Sequence, residues 1–469
     1  MSAQADRGAT TAEIRSSDDE RTRARAKELY DREFADLLAR TPKSRVMFER
    51  ARSTMPLGVA SSFQAAEPYP VYLARGEGAQ VWDVDGTRYV DFHNGFGSMA
   101  VGHAHPKVAE AIERAARTGT HFAVTTDATV LLAEELCRRF GLDRVRFTNS
   151  GTESTMDAIR VARAATGRDV VVKVEGSYHG HHDAVMFSVA PSLQLVTQAD
   201  DTGMQPPASR GIPRAAAALT TVVPFNNLDA VEDVFSRRAE DIACFILEPV
   251  MMNIGIVLPR PGYLEGLRRL CTRYGVVLIF DEVKTGVTIA AGGATERFGV
   301  QADLVCLAKS IGGGVPTGAF GGRAELMDLI GDGVAQQGTF NGNPLAAAAG
   351  LAALTEVLTP DAYLHLGQLG KRLAEGCAAA IRRSGLAAHV VDLGCKGCVS
   401  YRAEPLVDYR SFLETDAQLF EASWVWLLNR GIFMTPGNEE QWTLSVQHED
   451  RHIDRFVEAF GDFCDTVTQ

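Results

Sequence analysis

The sequence has no run of about 18 apolar residues, the length that a helix needs to cross a membrane. It also has no excess of basic residues, because 47 lysines and arginines face 59 aspartates and glutamates and leave a net charge of −12. Nucleic-acid binding normally requires a basic surface, so we expect neither a nucleic-acid partner nor a membrane partner. The N-terminal stretch is polar and acidic rather than an apolar leader, which predicts a cytoplasmic protein.

Cysteine is also scarce, and its eight copies stand mostly in apolar segments, which suits a reducing compartment. Cys395 and Cys398 form the single C-x-x-C pair, and because zinc would require a second pair, we expect a structural loop there. The chain lacks G-x-x-x-x-G-K-[ST] and lacks G-x-G-x-x-G after an N-terminal strand. These absences argue against a nucleotide-binding module.

The hydrophobic pattern indicates an α/β protein of several parts. Residues 1–44 are rich in charge and predict a disordered start that merges into an exposed helix, dispensable for chemistry. Residues 45–105 contain an alternating segment with a D-G turn, which predicts a hairpin. In residues 106–345, helical segments alternate with short apolar runs, which indicates a mainly parallel sheet. Residues 346–469 are expected to form a smaller domain.

Polar or small residues stand directly after the predicted strands, where ligands bind in open α/β sheets. They are Ser150, Gly151 and Thr152, then Tyr178 and His179, then Glu248, Asp281 and Lys309. The first three residues begin a predicted helix, whose free N–H groups and dipole favour an anion such as phosphate. Taken alone, the same residues could simply cap the helix, with Glu153 in support.

Besides the predicted anion site, the sequence offers an amine at Lys309 and a carboxylate at Asp281. A lysine in an apolar setting loses its proton more easily, and a neutral amine forms a Schiff base with an aldehyde, although one lysine at a strand end could also reach solvent. Asp281 ends a very apolar strand, where a carboxylate needs a partner such as a protonated ring nitrogen. Phosphate, aldehyde and pyridine nitrogen occur together in pyridoxal 5′-phosphate (PLP).

An ordered set of six motifs resembles class III, fold type I PLP-dependent aminotransferases. The motifs are NSGTE, GSYHG, EPV, DEV, LAKSIGGG and GTFNGNP, and the likeness covers roughly residues 45 to 465. The nearest branch is that of glutamate-1-semialdehyde 2,1-aminomutase and its transaminase relatives. The resemblance implies PLP as cofactor, a large domain with a mainly parallel sheet, a smaller α+β C-terminal domain and a homodimer.

The resemblance also implies roles for the matching residues. Lys309 would hold PLP covalently and move a proton between substrate and cofactor, while Asp281 would keep the pyridine nitrogen protonated. Tyr178 would stack on one face of the ring and Val283 would support the other. The implied phosphate ligands are Ser150, Gly151 and Thr152, with Thr339 from the partner subunit, and the other implied cofactor neighbours are His179, Glu248 and Asn253.

The substrate side departs from the pattern of that branch. Gln64 stands where the aminomutases usually carry an arginine for the substrate carboxylate, and an amide cannot form the bidentate, charge-assisted pair. Lys284 stands where an apolar residue is common, so that it either brings a positive charge toward the pocket or faces solvent. Phe96 would provide an aromatic wall. His179, His181 and His182 could suggest a metal, but neighbours in a tight loop cannot easily converge on one ion, so none is expected.

These observations predict a PLP-dependent aminotransferase that moves an amino group from a small-molecule donor to a keto or aldehyde acceptor by a ping-pong mechanism, in a specialised biosynthetic pathway. The alternative keeps the same residues and is a glutamate-1-semialdehyde-like aminomutase or an amino-acid epimerase. A more remote alternative is a catalytically silent protein with the PLP fold, although such a protein would have no need of Lys309.

Overall fold

The structure of the protein is a computed structural model, which describes residues 11–202, 205–437 and 441–469, with side chains from residue 20 onward except at 201 and 202. In these residues the strands are β1 Leu73–Glu77, β2 Gln80–Asp83, β3 Arg88–Asp91, β4 Arg144–Thr148, β5 Val170–Val174, β6 Thr220–Val223, β7 Ile242–Leu247, β8 Val277–Asp281, β9 Leu304–Ala308, β10 Gly318–Gly322, β11 His389–Asp392, β12 Lys396–Ser400, β13 Ile432–Phe433 and β14 Trp442–Thr443. The helices are α1 Thr11–Arg40, α2 Pro42–Ala51, α3 Asn94–Gly97, α4 Pro106–Thr118, α5 Asp127–Phe140, α6 Gly151–Thr166, α7 Leu193–Thr202, α8 Arg214–Ala217, α9 Leu228–Arg238, α10 Tyr263–Tyr274, α11 Gly286–Ile289, α12 Gly293–Phe298, α13 Ala324–Met327, α14 Pro344–Ala352, α15 Pro360–Ser384, α16 Tyr409–Phe412, α17 Ala417–Asn429 and α18 Asp450–Thr468.

A seven-stranded sheet in the order β4-β10-β9-β8-β7-β5-β6 forms the centre of the molecule. The pairs β9-β8, β8-β7, β7-β5 and β5-β6 are parallel. Strands β7, β8 and β9 are buried at every residue, as expected of a sheet covered by helices on both faces. The predicted α/β class with a mainly parallel sheet is confirmed.

Strand β10 is the exception to the parallel order, because it runs antiparallel to both of its neighbours, β4 and β9. Its sequence, GAFGG, is mostly glycine. A methyl group at Gly321 would overlap the backbone oxygen of Arg144, and one at Gly322 would overlap that of Asp303. Glycine is therefore required here by close backbone packing rather than by an unusual dihedral angle.

Two smaller sheets complete the fold. Strands β2 and β3 form the predicted hairpin, and the four-stranded sheet is β1-β2-β3-β13. Because β13 pairs in parallel with β3, the C-terminal part of the chain is tied to the N-terminal part. The third sheet has the order β11-β12-β14.

Helix α1 differs from the exposed helix expected for the N-terminal extension. Ala26, Leu29 and Leu37 are buried, and α1 packs along α17. Glu33 is also buried, and it accepts a hydrogen bond from Asn429 Nδ2 at 2.9 Å. The dense charge pattern of this segment hid a buried stripe on one side of the helix, which consists of apolar residues and Glu33. The expected disordered start falls mostly in residues 1–10, outside the described residues.

The C-x-x-C segment is only in part the loop that we expected. Cys395 lies in a bend, and its Sγ donates to Leu444 O at 3.1 Å, whereas Cys398 lies inside strand β12. Positions three apart in extended chain point to opposite faces. All eight cysteines are free thiols.

Helix α14 begins at an asparagine cap, because Asn343 Oδ1 accepts the N–H of Ala346 at 2.9 Å. Pro344 at the first helical position has no N–H to satisfy. Within the described residues, no single helix is long and apolar enough to span a membrane, and one pair, Pro344–Val357 with Pro360–Ser384, meets the length and composition test only together and with a bend of 76°.

The stability of the protein is expected to fall with acidification because of His448. Burial, followed by the proximity of His452, lowers the pKa of the His448 ring from 6.5 to about 3. Because this pKa is depressed in the folded state, the unfolded state binds a proton that the folded state does not. The free energy of unfolding is therefore at its full value above pH 6.5 and decreases as the pH falls toward 3. From pH 7 to pH 5 the free energy of unfolding should drop by about 2 kcal/mol through this group. Urea unfolding at the two pH values measures the drop.

The variant His448→Gln keeps an acceptor for the Ser445 N–H, which bonds the ring at 3.0 Å. It should remove the part of the pH dependence that is due to His448, while the part due to His182, whose pKa burial lowers to about 4, remains. His181→Gln, at an exposed histidine, is the matched control and should keep the full pH dependence. Equal pH dependence in His448→Gln and the wild type would contradict the assignment.

Candidate active site

A cleft of about 410 Å³ opens at the carboxyl ends of the parallel strands. It brings together ten of the eleven residues predicted to bind the cofactor. Those lining the cleft are Ser150, Gly151, Thr152, Tyr178, His179, Glu248, Asn253, Asp281, Val283 and Lys309. Strands β4, β7, β8 and β9 position most of them, because these strands end at the same edge of the sheet.

The start of helix α6 faces the cleft. Ser150 is its N-cap, and Ser150 Oγ accepts the N–H of Glu153 at 3.2 Å. The capping role and the cleft position therefore coexist, so the two interpretations of this segment are compatible. A methyl group at Gly151 would come within 2.9 Å of the Val283 side chain. Glycine here keeps the first-turn N–H groups open to an anion.

Asp281 is held by two neighbours at the end of β8. Its Oδ2 lies 2.7 Å from His179 Nδ1, and its Oδ1 accepts the N–H of Val283 at 3.0 Å. Asp281 is 5% exposed and His179 is fully buried. A carboxylate this deep in the protein is fixed in direction, and it lines the cleft where a cationic ring nitrogen would be its partner.

The carboxylate of Glu248 accepts three hydrogen bonds from residues in or next to the cleft. Its Oε1 accepts the backbone N–H of Tyr178 at 3.2 Å, and its Oε2 accepts Asn253 Nδ2 at 2.9 Å and the N–H of Met252 at 3.0 Å. Burial raises the pKa of Glu248, and nearby Asp281 acts in the same direction. Burial also raises the pKa of the Tyr178 hydroxyl. Glu248 thus positions both the aromatic ring of Tyr178 and the amide of Asn253.

Lys309 follows β9 with a left-handed backbone, at φ 55°. This conformation is costly for a residue with a side chain, and such strain is typical of functional positions. The next residue secures it, because Ser310 Oγ donates to Gly97 O at 2.9 Å. The backbone therefore directs the lysine into the cleft.

Lys173 is a residue that the sequence analysis missed. It is fully buried in β5, and its Nζ donates to the carbonyl oxygens of Ser177, Val185 and Phe187 at 2.9, 3.1 and 2.7 Å. Burial lowers its pKa to about 7. It joins both ends of the loop that carries Tyr178. A lysine in the middle of the apolar run VVVKV was the available signal.

The residues predicted for the substrate are divided between two places. Phe96 and Lys284 line the cleft, and Lys284 is 8% exposed, with its Nζ donating to Met252 O at 3.1 Å, so it does not face solvent. Gln64 corrects the expectation, because it lines an adjoining cavity instead, and its neighbour Phe63 takes the place in the cleft.

Two further expectations concern residues near the cleft. Thr339 is exposed and does not line the cleft of its own chain. The histidines of the YHGHHD loop have separate partners, since His181 Nδ1 lies 3.1 Å from Thr152 Oγ1 and His182 Nε2 lies 3.3 Å from Thr155 Oγ1. Among the described residues no group of three metal-binding side chains converges.

The donor set of the cleft fits PLP. A helix start suits its phosphate, a buried aspartate suits its ring nitrogen, a lysine suits its aldehyde, and a tyrosine with a valine suits the two ring faces. The fold and the cleft together define a PLP-dependent transferase.

Comparisons with known proteins give the family. The model of the class-III aminotransferases matches residues 62–397. A glutamate-1-semialdehyde 2,1-aminomutase of Desulforudis audaxviator is 41% identical, over 89% of this chain and 96% of that protein. The chain belongs to the class-III aminotransferase family, and its cofactor is PLP.

Solved structures agree with this assignment. An ω-transaminase from Sphaerobacter thermophilus superposes with a TM-score of 0.85 at 35% identity, over 92% of this chain and all of that one. A glutamate-1-semialdehyde aminomutase from Pseudomonas aeruginosa in complex with pyridoxamine 5′-phosphate (PMP) gives a TM-score of 0.87 at 29% identity, over 95% of this chain and 99% of that one. The predicted enzyme class is confirmed. The names of the curated relatives support the aminomutase alternative more closely than the aminotransferase prediction.

Proposed function

We propose that the protein is an aminotransferase, whose residues would hold PLP and act on an amino donor and a keto or aldehyde acceptor. Bound PLP supplies an aldehyde for attachment of the amine and a ring that accepts electron density. In this proposal Lys309 binds the cofactor and carries the proton to and from the substrate carbon. Asp281, fixed by His179, keeps a positive charge on the ring nitrogen.

The other residues of the cleft would bind the phosphate of PLP and orient its ring. The N–H groups of Gly151 and Thr152 with the hydroxyl of Ser150 bind the phosphate, while Tyr178 and Val283 enclose the ring. These roles are supported by the position of all five residues around one cleft.

The aromatic lining of the substrate side carries the proposal. Phe63 packs edge-on against Tyr178, with ring centroids 5.5 Å apart, and lies 6.0 Å from Phe96. Among the described residues, the cleft contains no arginine, and its cations are Lys284 and Lys309. A small dicarboxylic or semialdehyde acid would therefore find no guanidinium group in this cleft to pair with its carboxylate. A keto or aldehyde acceptor with an apolar part suits these walls better.

The aminomutase is the second candidate, because seven curated relatives with that name are 38–41% identical over about nine-tenths of the chain. Lys284 would then be the cation nearest to the substrate carboxylate. Such an enzyme moves the amino group within one substrate and consumes no separate acceptor.

One experiment separates the two candidates. The purified holoenzyme is mixed with single amino donors without an acceptor, and the visible absorbance of bound PLP is followed. Stoichiometric conversion to PMP and release of one keto product support the aminotransferase. Catalytic turnover of glutamate-1-semialdehyde to 5-aminolevulinate, without loss of PLP absorbance at the end, supports the aminomutase. Lys309→Ala serves as the inactive control for both.

We also propose a homodimer in which Thr339 reaches the phosphate site of the partner. Thr339 and Phe340 lie on an exposed turn, and the Phe340 ring packs on His121 with centroids 4.7 Å apart. Phe122 and Val124, next to that histidine, are 50% and 71% exposed. An apolar surface of this kind favours self-association.

Thr339→Ala should weaken PLP binding by about tenfold, the value of one hydrogen bond to a charged group. Sedimentation should still show a dimer, because the hydroxyl is a small part of the interface. The Kd of PLP for the reconstituted apoenzyme measures the effect, with Thr466→Ala, at an exposed threonine of α18, as the control. An unchanged Kd, or a monomeric wild type, would refute this arrangement.

A further inference from the structure

A second cavity of about 420 Å³ adjoins the cofactor cleft. It lies between helix α1, the segment 55–73 and the C-terminal segment 424–436. Phe63 and Phe96 line both cavities and so form the partition between them. The cavity begins where the substrate side of the cleft ends.

The walls of this cavity are mostly apolar, with Leu37, Val71 and Leu428 among them. The Thr435 hydroxyl in this lining is buried without a hydrogen-bond partner, whereas the hydroxyls of Thr41 and Tyr72 are paired. Thr41 Oγ1 donates to Leu37 O at 2.7 Å and Tyr72 OH donates to Gly58 O at 2.6 Å. An apolar group could enter without leaving these hydroxyls unpaired. A carboxylate would find no lysine or arginine among the described residues of this lining, which also contains Glu67.

Phe96 is the fixed side of the partition. Its backbone is left-handed, at φ 55°, and its N–H is held by His93 Nε2 at 3.1 Å. Asp91 secures the same turn by accepting the N–H groups of His93 and Asn94, each at 2.9 Å. The Asp91 carboxylate is in turn 2.6 Å from His103 Nε2. These contacts fix the backbone that carries Phe96, so we expect its ring to keep its orientation.

Phe63 is the side that can move. It stands in a short turn, Ser62–Gln64, is 63% exposed, and touches Tyr178 and Phe96 only by tilted or edge-on ring contacts. Side-chain rotation of exposed residues takes place in nanoseconds or less. Rotation of this one ring would join the cleft to the cavity.

We propose that this cavity binds the apolar substituent of the substrate, an alkyl or aryl group on the carbon that carries the amine, and that Phe63 admits it past Phe96. The proposal rests on the proposed function, because it places the substrate's reacting carbon in the cofactor cleft. The occupant is argued from the shared wall of the two cavities, the mostly apolar lining and a volume within the range of small-molecule pockets.

The test is a donor series of linear primary amines from propylamine to hexylamine, added to the holoenzyme without an acceptor. The second-order rate constant for loss of PLP absorbance should rise by about fourfold per methylene, and so on the order of 50-fold over the series, until the cavity is filled. Ala66→Phe, inside the lining, should lower the ratio of the hexylamine to the propylamine rate constant by at least tenfold. Ala65→Phe, at a half-buried neighbour outside the lining, should keep the ratio.

The outcomes separate the two proposals. Absence of any PLP conversion with every donor would overturn the proposed function, and with it the assigned substituent. Conversion whose rate does not depend on chain length, or an unchanged ratio in a folded Ala66→Phe, would overturn the cavity assignment alone. A changed sedimentation coefficient in Ala66→Phe would show that a second copy covers the cavity and would also overturn it. Loss of hexanol binding in Ala66→Phe, measured by calorimetry, would support the assignment even if that variant is inactive.

Discussion

Replacement of Lys309 by alanine is expected to abolish turnover, with a fall of at least about 10⁴-fold in kcat, the upper range for loss of a proton-transfer group. The lysine stands at the end of β9, where its left-handed backbone directs it into the cleft. Among the described residues that line the cleft, the other lysine is Lys284, whose Nζ donates to Met252 O. PLP should remain bound through the phosphate and ring contacts, but it should be removable by dialysis.

Steady-state rates and the visible spectrum of the variant measure both parts of this expectation. Lys371→Ala, on an exposed face of α15 where the side chain is 70% exposed, is the control and should keep both rate and spectrum. Normal turnover by Lys309→Ala would refute the proposed mechanism. A variant that has lost activity together with its thermal transition would instead report on folding, so a melting curve accompanies the assay.

Asp281→Asn is expected to lower kcat on the order of 10³-fold, within the range for loss of a catalytic acid–base interaction. Asparagine has the same shape, its Oδ1 can still accept the Val283 N–H, and its Nδ2 can donate to an unprotonated His179 Nδ1, so the fold should persist. It carries no charge, and a ring nitrogen beside it would lose its proton. The cofactor would then withdraw fewer electrons from the substrate carbon, and the rate of proton removal would fall.

Asp303→Asn is the matched control, because Asp303 is also 5% exposed but lies at the other end of the same sheet region. It accepts hydrogen bonds from Arg268 Nη1 and the Leu278 N–H, both at 2.8 Å. This variant should lower the melting temperature and leave kcat of the folded enzyme close to that of the wild type. If Asp281→Asn retained full kcat, the assigned role of Asp281 would be wrong.

The carboxyl ends of the strands explain why so much of the site could be predicted. Parallel strands end at one edge of the sheet, so Glu248, Asp281 and Lys309, far apart in sequence, had to lie close together. The helix start at Gly151 could be placed for the same reason. Their roles followed from a resemblance of motifs rather than from these positions alone.

Other features depend on packing between distant segments, which a single sequence does not specify. Whether Phe63 or Gln64 faces the cleft depends on the direction of one short turn. The burial of α1 depends on α17, about 390 residues later in the chain. Lys173 was overlooked because a charged residue in an apolar strand has no assigned partner until the surrounding carbonyl groups are located.

Strand β10 has a consequence for laboratory evolution of this enzyme. A saturation library would be depleted at Gly321 and Gly322 as severely as at Lys309, although neither glycine lines the cleft. Read without the structure, that depletion would be taken for a functional hot spot. Libraries that seek new substrates should leave this strand constant and diversify the turn that carries Phe63, where an exposed side chain tolerates exchange.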